Sequence, residues 1–160
     1  MSALHTQDAA AALQRMLDLG LRPFLVSRAV GLVISQRLVR HLCPHCRKRA
    51  TPRADLLEKA APIARRGGLD WDGIEKDFHE PIGCAKCGGT GYLGRTLIAE
   101  MLDITPEIVA ALEQRLPASD IRAVAVRGGM TTLAADGMRK AAQRQTSLEE
   151  AFLYLPDLDG

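Results

Sequence analysis

The chain has 160 residues, of which 47% are hydrophobic and 25% are charged, and its net charge at pH 7 is +2. This length and composition predict one or two small globular domains with a real hydrophobic core. The small net charge argues against a general polyanion-binding protein, and aromatic residues (4%) are too scarce for base-stacking platforms. The longest apolar stretch, residues 24–34, falls short of the ~20 residues that span a bilayer.

The N-terminal quarter of the chain predicts two helices and one ambiguous stretch. Residues 7–19 have the apolar spacing of an amphipathic helix. Pro23 is typical of the first turn of a second helix, whose apolar stripe would consist of Val26, Val30 and Val33. Residues 35–42 fit both helical and strand periodicity, and we expect a helix that passes into a strand there.

All four cysteines fall into two pairs, Cys43-Pro44-His45-Cys46 and Cys84-Ala85-Lys86-Cys87. Two residues separate the thiols of each pair, which lets both sulfurs turn toward one ion. Two such pairs complete a tetrahedral thiolate site with Zn–S bonds of about 2.3 Å. The pattern therefore predicts a closed structural metal site and favours zinc as its ion, with the ligands Cys43, Cys46, Cys84 and Cys87.

Two other uses of paired cysteines fit less well. Disulfides are typical of secreted chains, but residues 1–5 have neither the basic nor the apolar region of a signal peptide. A redox motif needs one Cys-x-x-Cys, whereas this chain has two. Metal-binding thiols indicate a reducing, cytoplasmic compartment. Because four thiolates already close the ligand shell, we expect three histidines near the pairs to lie outside it: His41, His45 and His79.

The two pairs are separated by 37 residues, more than the roughly 15–20 of a simple zinc ribbon. A helix is predicted after Thr51 and Pro52, and Gly67 and Gly68 would end it. Seven residues of segment 47–66 are basic, which leaves two interpretations open. One is a nucleic-acid surface, and the other, which we favour because aromatic residues are missing, is a solvated face.

The second half of the chain predicts one strand and several helices. The glycine-rich segment 88–94 is typical of the tight reversal in a metal knuckle. A strand is predicted at residues 96–102, with apolar residues on both faces as in a mostly buried strand. Helices are predicted to begin near residues 105, 119 and 130, and segment 146–149 is predicted to be the capping box of a last helix.

Several of these segments together resemble the hexameric ATPases that power type II secretion and type IV pilus assembly. The start of the chain is similar to that family's histidine box, and both cysteine knuckles follow in the family's order. The similar segments cover essentially the whole chain: residues 2–9, 15–20, 36–40, 43–46, 83–87, 90–95, 100, 129–130, 136–137 and 146–150. Two departures are Gln145, where the family has glycine, and Met1, where a strand would continue. The second suggests an artificial boundary or a truncated reading frame.

The resemblance implies an α/β fold in which helix dominates: a partial RecA-like P-loop NTPase layer, an inserted tetracysteine zinc subdomain and a C-terminal helical bundle. Its expected divisions are 1–42 (C-terminal part of the RecA-like core), 43–94 (zinc-binding subdomain) and 95–160 (core strand plus helical region). It makes His5 the catalytic candidate, near the γ-phosphate of the nucleotide. Three arginines are expected to contact a neighbouring subunit or nucleotide, or to form surface ion pairs with a residue such as Glu100: Arg37, Arg40 and Arg95.

The phosphate-binding loop of the resembled family has the pattern G-x-x-x-x-G-K-[ST], which does not occur in these 160 residues. Segment 88–96 is rich in glycine but lacks the lysine. The resemblance therefore implies a C-terminal part of the motor, inactive alone, with ATP and Mg²⁺ bound only by the full-length protein. Its implied partners are an inner-membrane platform protein and neighbouring subunits of a homohexamer. Nucleic-acid binding and membrane insertion are not expected, and the implied place is the cytoplasmic face of the bacterial inner membrane.

Three other functions stay open from the sequence. The first is a zinc-ribbon nucleic-acid binder, suggested by the basic insertion. The second is a zinc module of J-domain chaperones, because segment 84–91 fits Cys-x-x-Cys-x-Gly-x-Gly once, where such modules have four copies. The third is a free-standing interaction module that kept the motor's surfaces.

Overall fold

Helices account for most of the regular structure in residues 6–153, the part of the chain that the computed structural model describes. In chain order the elements are α1 (Ala9–Asp18), α2 (Pro23–Ala29), β1 (Leu32–Leu42), β2 (Lys48–Arg49), α3 (Ala54–Arg66), β3 (His79–Glu80), β4 (Tyr92–Asp103), α4 (Pro106–Glu113), α5 (Ala118–Arg127), α6 (Leu133–Ala142) and α7 (Leu148–Leu153). The predicted combination of helices with a small amount of sheet is confirmed. No helix within residues 6–153 has the length and apolar character needed to cross a membrane.

The framework of the fold is an antiparallel ribbon formed by β1 and β4. Ser35 lies opposite Glu100 and Val33 opposite Leu102, and the register shifts once between Arg40 and Leu42. Because side chains alternate between the two faces of a strand, one face of the ribbon presents Val39 and Ile98 to the buried first residue of α6, Leu133.

Two larger hydrophobic clusters flank the ribbon. The first joins α1, α2, α4 and α5 to the end of β4. The second joins α3 to α6 and α7, with Trp71 and Phe78 packed among them. Since α3 belongs to the segment between the cysteine pairs, this insertion obtains its core by packing against the C-terminal helices.

Side-chain caps fix where three helices begin. Asp8 accepts a hydrogen bond from the backbone N–H of Ala11, Thr105 from that of Ile108, and Thr132 from that of Ala135. Each cap satisfies one of the N–H groups that a helix leaves without an internal partner. The helices predicted over residues 7–19 and near residues 105 and 130 are thereby found close to their expected positions.

The prediction for residues 30–42 is wrong in part. α2 ends at Ala29, so Val30 and Val33 do not continue the helical stripe of Val26. β1 already begins at Leu32 and runs without a helical portion to Leu42. The physical reason is the long pairing with β4, which supplies hydrogen-bond partners along one edge of the whole stretch and outweighs its helical periodicity.

The strand predicted at residues 96–102, which is part of β4, was expected to be buried on both faces. Within the described residues this expectation is also wrong. The outer face of the ribbon, formed by alternate residues of β1 and β4, exposes large apolar side chains. Ile34 and Leu38 are each 54% exposed and Met101 is 59% exposed, while Ile98 and Leu102 on the inner face are fully buried. The strand is thus half-covered by the described part of the chain.

The last helix is capped by a different residue from the one predicted. The Ser147 hydroxyl, one residue later than expected, accepts the N–H of Glu150 at 3.1 Å. The Glu150 carboxylate does not reach back to complete a capping box. It accepts instead from the backbone N–H and the guanidinium of Arg40 on β1, which fastens α7 to the ribbon.

Candidate metal centre

The structure brings the four cysteine sulfurs together. Their Sγ atoms all lie within 4.8 Å of one another. Three of the six separations are 4.0 Å for Cys43–Cys84, 3.8 Å for Cys46–Cys87 and 3.7 Å for Cys84–Cys87. These are far longer than a disulfide bond of about 2.05 Å, and all four cysteines are free.

The first knuckle follows directly from the end of β1. The Cys43 carbonyl accepts the N–H of Cys46 at 3.3 Å and that of Arg47 at 2.9 Å, which turns the chain back within one reversal. Cys43 is fully buried, whereas Cys46 is partly exposed. The turn therefore places one sulfur inside the protein and the other near its surface.

The second knuckle is a short 3₁₀ helix, Ala85–Cys87, that Cys84 precedes. The Cys84 carbonyl accepts the N–H of Cys87 at 3.2 Å and that of Gly89 at 2.9 Å. Two backbone N–H groups donate to the Cys87 sulfur, those of Cys84 and Gly91, both at 3.2 Å. Such donors stabilise a thiolate, the form in which cysteine binds metal.

Gly91 connects the two knuckles. Its N–H donates to Cys87 Sγ of the second knuckle, and its carbonyl accepts the N–H of Cys43 from the first at 2.9 Å. The backbone of Gly91 has a φ of +75°, and a Cβ at this position would lie 2.4 Å from Pro81 Cβ. Glycine is therefore required here both by the left-handed conformation and by the close approach of Pro81.

The four sulfurs fit a tetrahedral metal ion. A tetrahedron with Zn–S bonds of about 2.3 Å has sulfur–sulfur edges of about 3.8 Å, close to the separations found here. Four thiolates without oxygen ligands exclude the hard cations magnesium and calcium and suit zinc or a comparably soft ion. The chain's own residues can thus hold one metal ion in a closed shell.

The pKa values of two of the cysteine thiols are shifted in opposite directions. Burial raises the pKa of Cys87, but the N–H groups of Cys84 and Gly91 outweigh burial and lower this pKa to about 6. Burial raises the pKa of Cys46 to about 12. Since a metal must displace the remaining thiol protons, its affinity for the site increases with pH.

Two of the three nearby histidines are engaged elsewhere. His41 Nδ1 lies 2.9 Å from the carbonyl of Leu42, and His79 Nδ1 lies 3.1 Å from the carbonyl of Asp77 and 3.5 Å from its carboxylate. The group of side chains close enough to share one ion, among residues 6–153, consists of the four cysteines without a histidine.

The other predicted site residues meet different outcomes. His5 lies outside the described residues, so its catalytic role stays a prediction. Arg40 forms an ion pair with Glu150 at 2.5 Å and stacks over the ring of Tyr92 at 4.1 Å. Arg37 donates to the carbonyl of Gln7 at 3.4 Å.

Two buried carboxylates make contacts that the sequence did not reveal. Glu100 is 3% exposed and accepts hydrogen bonds from two backbone N–H groups, whereas Glu150 is 1% exposed and binds Arg40. Glu100 is an acidic residue inside an apolar strand, and this is the sequence signal that points to it.

Comparison with known proteins gives matches along nearly the whole chain. A family model described as Type II/IV secretion system protein matches residues 1–153. The chain is 42% identical over 153 residues to the type IV pilus assembly ATPase PilB of Thermus thermophilus, which covers 95% of this chain and 16% of that protein.

Two relatives from secretion systems likewise match most of this chain over a small part of their own length. The type II secretion system protein HxcR of Pseudomonas aeruginosa is 36% identical over 157 residues, which is 98% of this chain and 28% of that protein. The type II secretion system protein E of Aeromonas hydrophila is 36% identical over 152 residues, which is 95% of this chain and 28% of that protein. The chain thus spans less than a third of the length of each of these relatives.

Proposed function

Because the chain belongs to the Type II/IV secretion system protein family, we propose that it is the C-terminal portion of a hexameric ATPase that powers type II secretion or type IV pilus assembly. The observation that carries the proposal is the family match across residues 1–153. Alone the chain is inactive, and ATP and Mg²⁺ bind only to the complete motor. Within that motor His5 acts near the γ-phosphate.

The local structure of the glycine-rich segment supports inactivity of the chain alone. A phosphate-binding loop connects a strand to the N-terminus of a helix, whose backbone N–H groups cradle the phosphates. Here Gly88 caps the 3₁₀ helix of the knuckle, and Gly94 lies inside β4. Segment 88–96 therefore leads into a strand and has a role in the metal centre.

The open face of the ribbon supports a partial RecA-like layer. Within residues 6–153 each long strand has one strand neighbour, the other long strand. The outer face leaves several large apolar side chains exposed, namely Leu32, Ile34, Leu38, Leu97 and Met101. Sheets of α/β proteins are normally covered on both faces, and the rest of the ATPase core would supply this cover. The divisions 1–42, 43–94 and 95–160 belong to the same proposal.

The metal centre is structural in this proposal. Closed four-thiolate sites leave no open position for a substrate, and their binding free energy stabilises the fold. The site closes the long insertion at the end of the ribbon, and zinc is the proposed ion. The insertion would then present a surface to a neighbouring subunit of the homohexamer or to an inner-membrane platform protein, at the cytoplasmic face of the membrane.

The contacts of the insertion count against the alternative of a nucleic-acid-binding zinc ribbon. Several of its basic side chains are paired with acidic ones: Arg53 with Asp55 at 2.7 Å, Arg65 with Asp72 at 2.8 Å and Arg49 with Asp77 at 3.3 Å. Paired cations contribute less to the phosphate contacts on which such binding depends.

The gene and its product together test the proposal. We expect the reading frame to continue upstream of the Met1 codon and to encode a phosphate-binding loop. We expect the full polypeptide to hydrolyse ATP, the 160-residue chain to be inactive, and His5→Ala to reduce turnover in the full polypeptide. An in-frame stop codon upstream, with the Met1 codon as a genuine start site, would refute the motor and leave a free-standing interaction module.

A further inference from the structure

The carboxylate of Glu100 joins the starts of two helices. One of its oxygens accepts the N–H of Ala9, the first residue of α1, at 2.6 Å. The other accepts the N–H of Leu133, the first residue of α6, at 2.8 Å. N-terminal N–H groups lack partners inside their helix and attract negative charge. One buried side chain therefore fixes both helix starts relative to β4.

The residues just before α1 are held from two further directions. Arg122 of α5 forms an ion pair with Asp8, whose side chain is 4% exposed. Arg37 of β1 donates to the carbonyl of Gln7. Residues 7–9, which follow His5 by two to four positions in the sequence, are thus attached to β1, β4 and α5, and Asp8 and Ala9 are buried there.

We propose that Glu100 is a positioning residue for the segment that carries His5, and that it sets the place of this segment relative to α6. The inference rests on the proposed function, because it needs His5 to act at the nucleotide. Glu100 itself touches no nucleotide in this account. It acts through the Ala9 amide, while Asp8 and Arg122 secure the same segment.

A matched pair of variants separates positioning from stability. Glu100→Gln keeps the size of the side chain but turns an NH₂ donor toward one of two N–H groups, which leaves a buried donor without a partner. Glu150→Gln makes the same change at a side chain that is equally buried and binds Arg40 instead. Both variants lose stability, and only the first should disturb residues 6–13.

The first measurement is hydrogen exchange, read by mass spectrometry, on the polypeptide as its gene encodes it. In Glu100→Gln we expect exchange to accelerate by roughly tenfold in peptides that cover residues 6–13 and 131–138. In Glu150→Gln the faster peptides should be those that cover β1 and α7. Unchanged exchange at residues 6–13 in Glu100→Gln would overturn the inference even in a polypeptide that hydrolyses ATP.

The second measurement is a double-mutant cycle of ATP hydrolysis. Glu100→Gln should lower kcat by roughly ten- to a hundredfold without raising KM, while Glu150→Gln leaves kcat within about twofold below its melting temperature. In a His5→Ala background, Glu100→Gln should cause no further loss. An equal loss with and without His5 would overturn the inference alone. A wild-type polypeptide without ATP hydrolysis would overturn the proposed function, and the positioning role with it.

Discussion

The close approach of Gly91 to Pro81 gives the most specific test of the metal centre. Alanine at position 91 would have to adopt the same φ of +75° as Gly91. For a residue with a Cβ this left-handed conformation costs about 1–2 kcal/mol. The new Cβ would also lie 2.4, 2.7 and 2.8 Å from the Cβ, Cα and carbonyl carbon of Pro81. These atoms belong to a rigid ring and backbone, so overpacking adds about 1–3 kcal/mol.

Gly89→Ala is the matched control for this substitution. Gly89 lies two residues earlier in the same turn and has a φ of +80°, but a Cβ there meets no atom within 4 Å. It should therefore carry the backbone cost without the clash. We expect Gly91→Ala to be less stable than Gly89→Ala by about 1–3 kcal/mol in urea unfolding of the metal-loaded chain.

The same comparison applies to metal binding. The N–H and carbonyl of Gly91 hold one ligand from each knuckle, Cys87 and Cys43. A shift of Gly91 should weaken metal affinity relative to Gly89→Ala by about 5- to 150-fold, which corresponds to the same free-energy difference. Competition with a chromophoric chelator at fixed pH measures it. Equal affinity and equal stability of the two variants would refute the reasoning.

Three further predictions concern ligand loss, pH and the core. Cys84→Ser should abolish metal retention, make the insertion sensitive to proteolysis and impair secretion or pilus assembly; normal secretion would contradict the structural role. Burial, with the nearby Asp8 charge, raises the pKa of Glu100 above its ordinary 4.5, so the folded chain keeps this proton to higher pH than the unfolded chain. We therefore compare the free energy of unfolding of the wild type with that of Glu100→Gln, which lacks this proton. The wild-type value minus the variant value should fall as pH rises from 4.5 through the folded pKa, and a difference that stays constant with pH would contradict this prediction. Met138→Ala, at a fully buried side chain, should cost about 2–5 kcal/mol, against about 0.5 kcal/mol or less for Leu153→Ala at 71% exposure; similar losses in urea unfolding would count against the core of α3, α6 and α7.

The features that the sequence predicted well depend on local spacing. Two cysteines separated by two residues form a knuckle through their own backbone turn, so the ligand groups could be identified without the fold. The first helix has its apolar stripe, its Asp8 cap and Gly20 within one short segment. The helix of the insertion likewise ends at the predicted Gly67.

The features that the sequence predicted poorly depend on distant partners. β1 was ambiguous because its strand conformation is decided by pairing with residues about sixty positions later. Glu100 binds N–H groups 91 and 33 positions away, so no local pattern could reveal its two helices. For the same reason no local pattern could name the partner in the ion pair expected of Arg40, which is Glu150, whereas Arg37 donates to the carbonyl of Gln7.

The metal content of natively purified protein tests the central claim most directly. Elemental analysis combined with X-ray absorption should find one zinc ion per chain, bound by four sulfurs at about 2.3 Å. The same protein with Cys84→Ser should contain none. Wild-type protein that is folded and free of metal, or a metal bound by oxygen or nitrogen, would contradict the account.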